Sequence, residues 1–185
     1  MTQTDKLEQY KKLVKDYSRV LDLSSPKMLE QFETGIERSQ HFANAIQPKA
    51  RVLDVGSGAG LPAIPIAILR PDVQITLCEI RNKRAAFLER AISVLQLENA
   101  SVFQGDVRKL EATFDTATAL WLGSLEEIVK LVKPRLIGQW SIITRKGIEL
   151  ETEFAKLQKN NPNIELKTQQ LEDGAWLVIL SERQE

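Results

Sequence analysis

The sequence predicts a doubly wound α/β domain on a mostly parallel, seven-stranded sheet, and three observations carry that reading. From Arg51 onward, short apolar runs alternate with segments of helical periodicity, the pattern of βα units that build a parallel sheet. The first run, Arg51-Val-Leu-Asp-Val55, passes straight into glycines at alternate positions, Gly56, Gly58 and Gly60, and then into an apolar helical segment. The chain closes on a turn dipeptide, Asp173-Gly174, followed by the strand-forming run Trp176-Leu-Val-Ile-Leu180, so an antiparallel hairpin should end the sheet.

The elements follow in order. Leu7, Tyr10, Leu13, Val14, Tyr17 and then Val20 or Leu21 recur at three- and four-residue spacing, predicting an amphipathic helix over about 5–21. Ser25 and Pro26 read as the cap and first turn of a second helix running through His41 to about Ile46. Strands are expected near 51–55, 73–79, 100–104, 114–120, 138–144, 163–170 and 175–181, with helices at about 61–69, 82–96, 124–133 and 148–159 and a short turn near 107–111. No internal repeat or Gly/Ser/Pro-rich linker interrupts the chain. We therefore expect one domain over 1–185, with a helical extension at 1–48 packed on an α/β core at 49–185.

Composition narrows the function. No apolar run approaches the roughly 18 residues of a membrane span, and the polar stretch from Met1 to Leu7 lacks the core of a signal peptide, so a cytoplasmic protein without membrane contact is expected. Cys78 is the single cysteine, which rules out an intramolecular disulfide, a paired-cysteine zinc site and a redox pair; it reads as a buried structural thiol. His41 is the single histidine and has no ligand set around it, so no metal is assigned. The 25 basic and 25 acidic residues cancel, which argues against nucleic-acid binding by bulk charge. Locally, Ile128 to Ile148 holds five cations and no acid, Arg81 to Arg90 holds four cations against Glu89, and from Glu149 onward eight acids face four bases. One basic face for a polyanion and an ordinary solvated surface both fit that pattern.

The glycine loop decides the ligand class. A strand, a glycine turn and a helix amino end form a cradle in which backbone amides are expected to point outward. A dinucleotide fingerprint, Gly-x-Gly-x-x-Gly, would need its third glycine at position 61, but Leu61 stands there and the glycine is Gly60. The shortened form suits a cofactor without a pyrophosphate, namely S-adenosylmethionine (SAM). Asp54 can order the loop or approach the cationic amino-acid end of SAM, while Glu79, at the end of the second strand, suits the ribose hydroxyls. After the third strand, Asp106 suits the adenine amino group and Val107 the ring. Gly56, Ser57, Gly58, Gly60, Leu61 and Thr118, the last near the end of strand four, complete the expected cofactor set. The fold is then the Rossmann-like sheet of a class I SAM-dependent methyltransferase.

At Asp54-Val-Gly-Ser-Gly-Ala-Gly-Leu-Pro-Ala-Ile-Pro-Ile-Ala67, Arg70-Pro71 and Asn82-Lys-Arg-Ala-Ala-Phe-Leu88, the chain resembles the glucose-inhibited division B family of small-subunit ribosomal RNA guanine-N7 methyltransferases. The similarity continues through Leu97-Glu98-Asn99 and Phe114-Asp115 to Lys146-Gly147, covering about 50–150, with a weaker echo in Asp22-Leu-Ser24. The resemblance implies that Gly56, Ser57, Gly58 and Gly60 hold SAM, Glu79 its ribose and Asp106-Val107 its adenine, with 16S ribosomal RNA or the small subunit as partner. The family usually carries an Arg-Ala pair after the fourth strand; here Thr118-Ala119-Leu120-Trp121 stands in its place.

Methyl transfer to guanine N7 can run on positioning and electrostatics, because N7 offers an in-plane lone pair, so no side chain is assigned as catalytic. The absence of an Asn- or Asp-Pro-Pro-aromatic motif after strand four disfavours methylation of an exocyclic amine. For RNA, the expected contacts are Arg81, Lys83, Arg84, Arg145 and Lys146, with Trp121 either stacking on a base or packed in a core-facing turn. The protein is expected to be a monomer. Two other readings remain open at this point: a small-molecule methyltransferase with a pocket around Leu120-Trp121-Leu122, and a SAM-binding protein without catalytic activity.

Overall fold

The computed structural model describes residues 1–18, 21 and 32–183. Helix α1 (Gln3–Ser18) buries Tyr10 and Val14, one turn apart on the stripe that the apolar spacing predicts. Its start is fixed by a reciprocal exchange: the Asp5 amide donates to the Thr2 hydroxyl at 3.1 Å, and the Thr2 amide donates to the Asp5 carboxylate at 2.9 Å. Helix α2 (Phe32–Ala45) follows; the start expected at Ser25 and Pro26 lies outside the described residues.

The sheet comprises β1 (Arg51–Val55), β2 (Gln74–Glu79), β3 (Ala100–Gln104), β4 (Phe114–Ala119), β5 (Leu136–Lys146), β6 (Ile164–Gln170) and β7 (Trp176–Glu182), in the order β3-β2-β1-β4-β5-β7-β6. Strands β1 to β5 pair in parallel, and β7 lies antiparallel between β5 and β6. The closing hairpin therefore adds its second strand to the parallel sheet and its first strand to the edge.

Helices α3 (Ala63–Leu69), α4 (Asn82–Leu95), α5 (Leu125–Val132) and α6 (Leu150–Asn160) connect the strands, with short 3₁₀ turns at Val107–Lys109 and Lys133–Arg135. Helix α3 begins two residues later than the sequence suggests, because Leu61 and Pro62 belong to the turn leaving the glycine loop. Alternation along the strands sends residues into two cores. Val52, Ile75, Leu77, Ile143 and Leu177 face α1 to α4, while Leu53, Val55, Ala117, Ile142 and Leu180 face α5 and α6.

The strand order reverses between β1 and β4: β2 and β3 continue from β1 to one side of the sheet, and β5 continues from β4 to the other. In open α/β sheets this switch leaves a crevice outside the carboxyl ends of the two strands, where the connecting helices diverge to opposite faces. Two loops meet there: residues 56–62 after β1 and residues 120–124 after β4.

Candidate SAM site and its rim

The glycine loop owes its shape to left-handed backbone, with φ of +72° at Gly56 and +55° at Gly58, conformations that a side chain at either place would strain. Gly60 is constrained by space as well: a Cβ there would lie 2.6 Å from Ile64 and 2.9 Å from the Tyr10 hydroxyl. That hydroxyl, fully buried, donates to the Ala59 carbonyl at 2.8 Å, so α1 pins the loop from outside the sheet. Tyr10 is a site residue that the helical spacing alone assigned only to packing.

The loop amides do not project outward as expected. Gly56 and Ser57 both donate to the Cys78 carbonyl, at 2.9 and 3.2 Å, Gly60 donates to the Ser57 carbonyl at 2.6 Å, and the Gly58 amide donates to Glu79 Oε2 at 2.9 Å. A loop whose amides are bonded inward is poorly made for a pyrophosphate. Its electrostatics come from the carboxylates instead.

Asp54 is 1% exposed; its Oδ1 accepts from the Thr118 hydroxyl at 2.6 Å and its Oδ2 is buried with no partner. Burial raises its pKa to about 6, against the bonds that favour the carboxylate, and the charge of Glu79 adds to the rise. Glu79, 4% exposed, also accepts from the Arg81 amide through Oε1 at 2.8 Å. Neither carboxylate has a cation among its ion pairs in the described residues. Two buried acids without a counter-ion, one with an unbonded oxygen, suit a ligand that brings positive charge and hydroxyl donors.

The remaining expected cofactor residues separate into two groups. Asp106 and Val107 lie on the turn after β3, drawn to the end of β2 by the Gly105 amide, which donates to the Glu79 carbonyl at 3.0 Å. The Arg108 guanidinium grips Asp106 and lowers its pKa to about 2, so this carboxylate is an acceptor under all ordinary conditions. Thr118 and Leu61, buried like Val107, lie at the end of β4 and on the turn after the glycine loop. Thr118 acts on the site through Asp54, and Leu61 packs against Gly35 of α2. Cys78 is inert: burial first, and the surrounding carboxylates next, push its thiol up to about 12.

On the substrate side, Arg145 and Lys146, both expected to meet RNA, are engaged internally. The Arg145 guanidinium pairs with Asp173 in the hairpin turn, which Arg38 of α2 also holds at 2.7 Å. Lys146, 9% exposed, donates to the Gly123 carbonyl and pairs with Glu153 at 2.9 Å. These contacts fasten the end of β5 to the hairpin and to the loop after β4. Arg81 and Lys83 are exposed at the amino end of α4, and Arg84 is partly so. Trp121 is 52% exposed, so it does not pack in a core-facing turn.

The family model described as rRNA small subunit methyltransferase G matches residues 3–174, far beyond the stretch of about 50–150 where the sequence motifs lie, and takes in α1. The chain belongs to this family. The ribosomal RNA small subunit methyltransferase G of Brachyspira hyodysenteriae is 32% identical over 186 residues, spanning 95% of this chain and 89% of the relative. That of Laribacter hongkongensis is 33% identical over 189 residues, 96% of this chain and 88% of the relative. Among solved structures, a SAM-dependent methyltransferase from Aquifex aeolicus superposes with a TM-score of 0.65 at 16% identity, covering 89% of this chain and 97% of the other. The AdoMet complex of M. jannaschii TYW2 gives 0.60 at 16% identity, with 81% and 76% covered. At these identities the structural likeness speaks for the fold. Family and fold together make the chain a SAM-dependent methyltransferase, and the family's substrate class is ribosomal RNA. Among the described residues no helix is long and apolar enough to cross a membrane, and no three His, Cys, Asp or Glu residues cluster as metal ligands.

Proposed function

We propose that this chain methylates N7 of a guanine in small-subunit ribosomal RNA, as a cytoplasmic monomer in which the helical extension and the sheet work as one domain. The observation that carries the cofactor half of this reading is the uncompensated pair Asp54 and Glu79 flanking a glycine loop whose amides are bonded inward. SAM, when bound, supplies an electrophilic methyl on a sulfonium and brings an ammonium and a ribose diol.

The chain's residues meet that chemistry group by group. Asp54, through its unbonded Oδ2, would take the ammonium, and Thr118 and burial hold the carboxylate in one orientation. Glu79 accepts the ribose hydroxyls with the lone pairs left after Gly58 and Arg81. Asp106 and Val107 meet the adenine edge, and Ile80, 65% exposed beside Glu79, offers apolar surface to the ring.

The guanine N7 lone pair forms the new N–C bond while the electrons of the S–C bond go to sulfur. No proton moves, and the positive charge passes from sulfur to the purine. A general base is unnecessary, so the task of the protein is alignment and exclusion of water. Arg81, Lys83 and Arg84, beside Glu79, form the phosphate-facing edge. The test is incubation of the protein and methyl-labelled SAM with small subunits from a strain lacking the gene, and with their naked RNA, followed by mapping. Label at one guanine N7 is expected; SAM binding without RNA label, or label on a small molecule, overturns the assignment.

A further inference from the structure

Trp121 has no place in the cofactor site, yet its setting is costly. Its backbone has φ +56°, a left-handed conformation that favours glycine or asparagine and disfavours a bulky aromatic. Its side chain gains little burial in return, whereas Trp140 is 6% exposed with its indole N–H on Glu182, and Trp176 packs against the second core.

The loop around Trp121 is nevertheless firmly held. The Ala119 carbonyl accepts from the Thr144 hydroxyl at 2.7 Å, the Gly123 carbonyl accepts from the Lys146 ammonium, and Ser124 with Glu127 forms a capping box at the start of α5. Leu122 reaches within 3.0 Å of where a Cβ on Gly56 would stand, which brings the loop against the glycine cradle. The ring is thus an exposed aromatic on a braced backbone, at the switch point and one residue from a contact with the cofactor loop.

We infer that Trp121 is the stacking platform for the acceptor purine, and that it favours the methylated, cationic ring over the neutral one. The inference rests on the guanine-N7 reading above. Because methyl transfer to N7 releases no proton, the guanine changes from neutral to positively charged as the bond forms. The face of an indole carries the negative part of its quadrupole, so its attraction for the purine grows along the reaction coordinate. An interaction stronger in the transition state than in the ground state raises kcat. In this reading Trp121 supplies the group facing the acceptor in a chain whose Thr118-Ala119-Leu120-Trp121 departs from the family's Arg-Ala.

The experiment is fluorescence anisotropy with two short single-stranded RNAs, end-labelled and identical except that one carries guanosine and the other 7-methylguanosine. The methylated RNA should bind about 5- to 20-fold more tightly to the wild-type protein. That preference should shrink in Trp121→Phe and vanish in Trp121→Leu, which keeps apolar area without a π face. Single-turnover methylation by Trp121→Leu should be about 10-fold slower with SAM affinity unchanged. Equal binding of the two RNAs, or a leucine variant that matches phenylalanine, overturns the platform. If label maps to N7 while the RNAs bind equally, the platform fails and the N7 reading stands; if the preference is present but no N7 label forms, the platform stands and the N7 reading fails.

Discussion

The two halves of the carboxyl edge treat charge in opposite ways. At the ends of β1 and β2, Asp54 and Glu79 are buried without a cation, whereas at the end of β5, Arg145 and Lys146 are paired with Asp173 and Glu153. Leaving a buried charge unpaired costs folding free energy, and the structure bears that cost where we propose that a cationic ligand binds. Paired charges, by contrast, fasten elements together. The basic stretch that looked like an RNA surface in sequence is largely a set of bolts.

The largest expected effect breaks the cofactor half. Asp54→Asn should weaken SAM binding at least about 100-fold in calorimetry, since a charge-assisted contact in a buried site is lost. It should also stabilise the unliganded protein. The folded pKa of Asp54, about 6, lies above the ordinary 3.8, so the fold prefers the protonated acid. Stability therefore falls as pH rises from about 4 through 6, and above that the charged group costs about 3 kcal/mol. Asparagine removes most of that penalty, less the cost of an unpaired amide, giving a net gain of about 1–2 kcal/mol at pH 8 and a flatter stability profile from pH 4 to 6.5. For the wild type, SAM affinity should drop up to about tenfold per unit below pH 6. Denaturant melts across pH check the first, and calorimetry the second; an unchanged stability profile in the variant would show that Asp54 does not carry the titration.

Lys146→Met tests the bolted half. The ammonium is nearly buried between the Gly123 carbonyl and Glu153, and its loss leaves the first without that donor and the second with the Leu125 amide alone. A loss of about 2–3 kcal/mol in urea unfolding is expected. RNA affinity should change through the loop that carries Trp121, while the slope of affinity against salt stays as in the wild type.

The same contrast explains what the sequence could reveal. The glycine loop, Glu79 and Asp106 were legible because each lies at a strand end within a local motif, and strand order follows from βα alternation. The fate of Arg145 and Lys146 was not legible: their acids lie in α6 and the hairpin turn, 7 and 28 residues away, and pairing of that kind is set by tertiary packing. The acidic excess after Glu149 was the available signal, read only as an asymmetry of surface charge. The outward amides were misjudged for a related reason. They are taken up by Cys78 and Glu79 of the neighbouring strand, partners that a strand-turn-helix motif does not contain. Tyr10 and Thr118 were assigned to a helix stripe and to the cofactor set; their hydroxyl partners became visible only once α1 and β4 were placed beside β1.

Tyr10→Phe sharpens the comparison on the cofactor side. It keeps the ring packed edge-on against Phe32 at 5.2 Å and removes only the bond to the Ala59 carbonyl. Loss of about 1–2 kcal/mol is expected from the buried acceptor left unpaired. SAM affinity should fall several-fold as the loop loosens, with the Trp121-dependent preference for methylated RNA unchanged.

The smallest effect separates paired from unpaired cations. Lys83→Gln removes an exposed charge at the amino end of α4 and Arg145→Gln removes one already held by Asp173. Measured as log affinity for a ribosomal RNA fragment against log salt, Lys83→Gln should lower the slope by about 0.7–1 and weaken binding a few-fold, with stability within about 0.5 kcal/mol of wild type. Arg145→Gln should do the reverse, leaving the slope in place and destabilising the hairpin turn, because Asp173 then keeps Arg38 as its one cation beside the Ala175 amide. A slope that falls with Arg145→Gln would mean that RNA phosphate displaces Asp173, and the bolt at the end of β5 would then be a contact that the substrate opens.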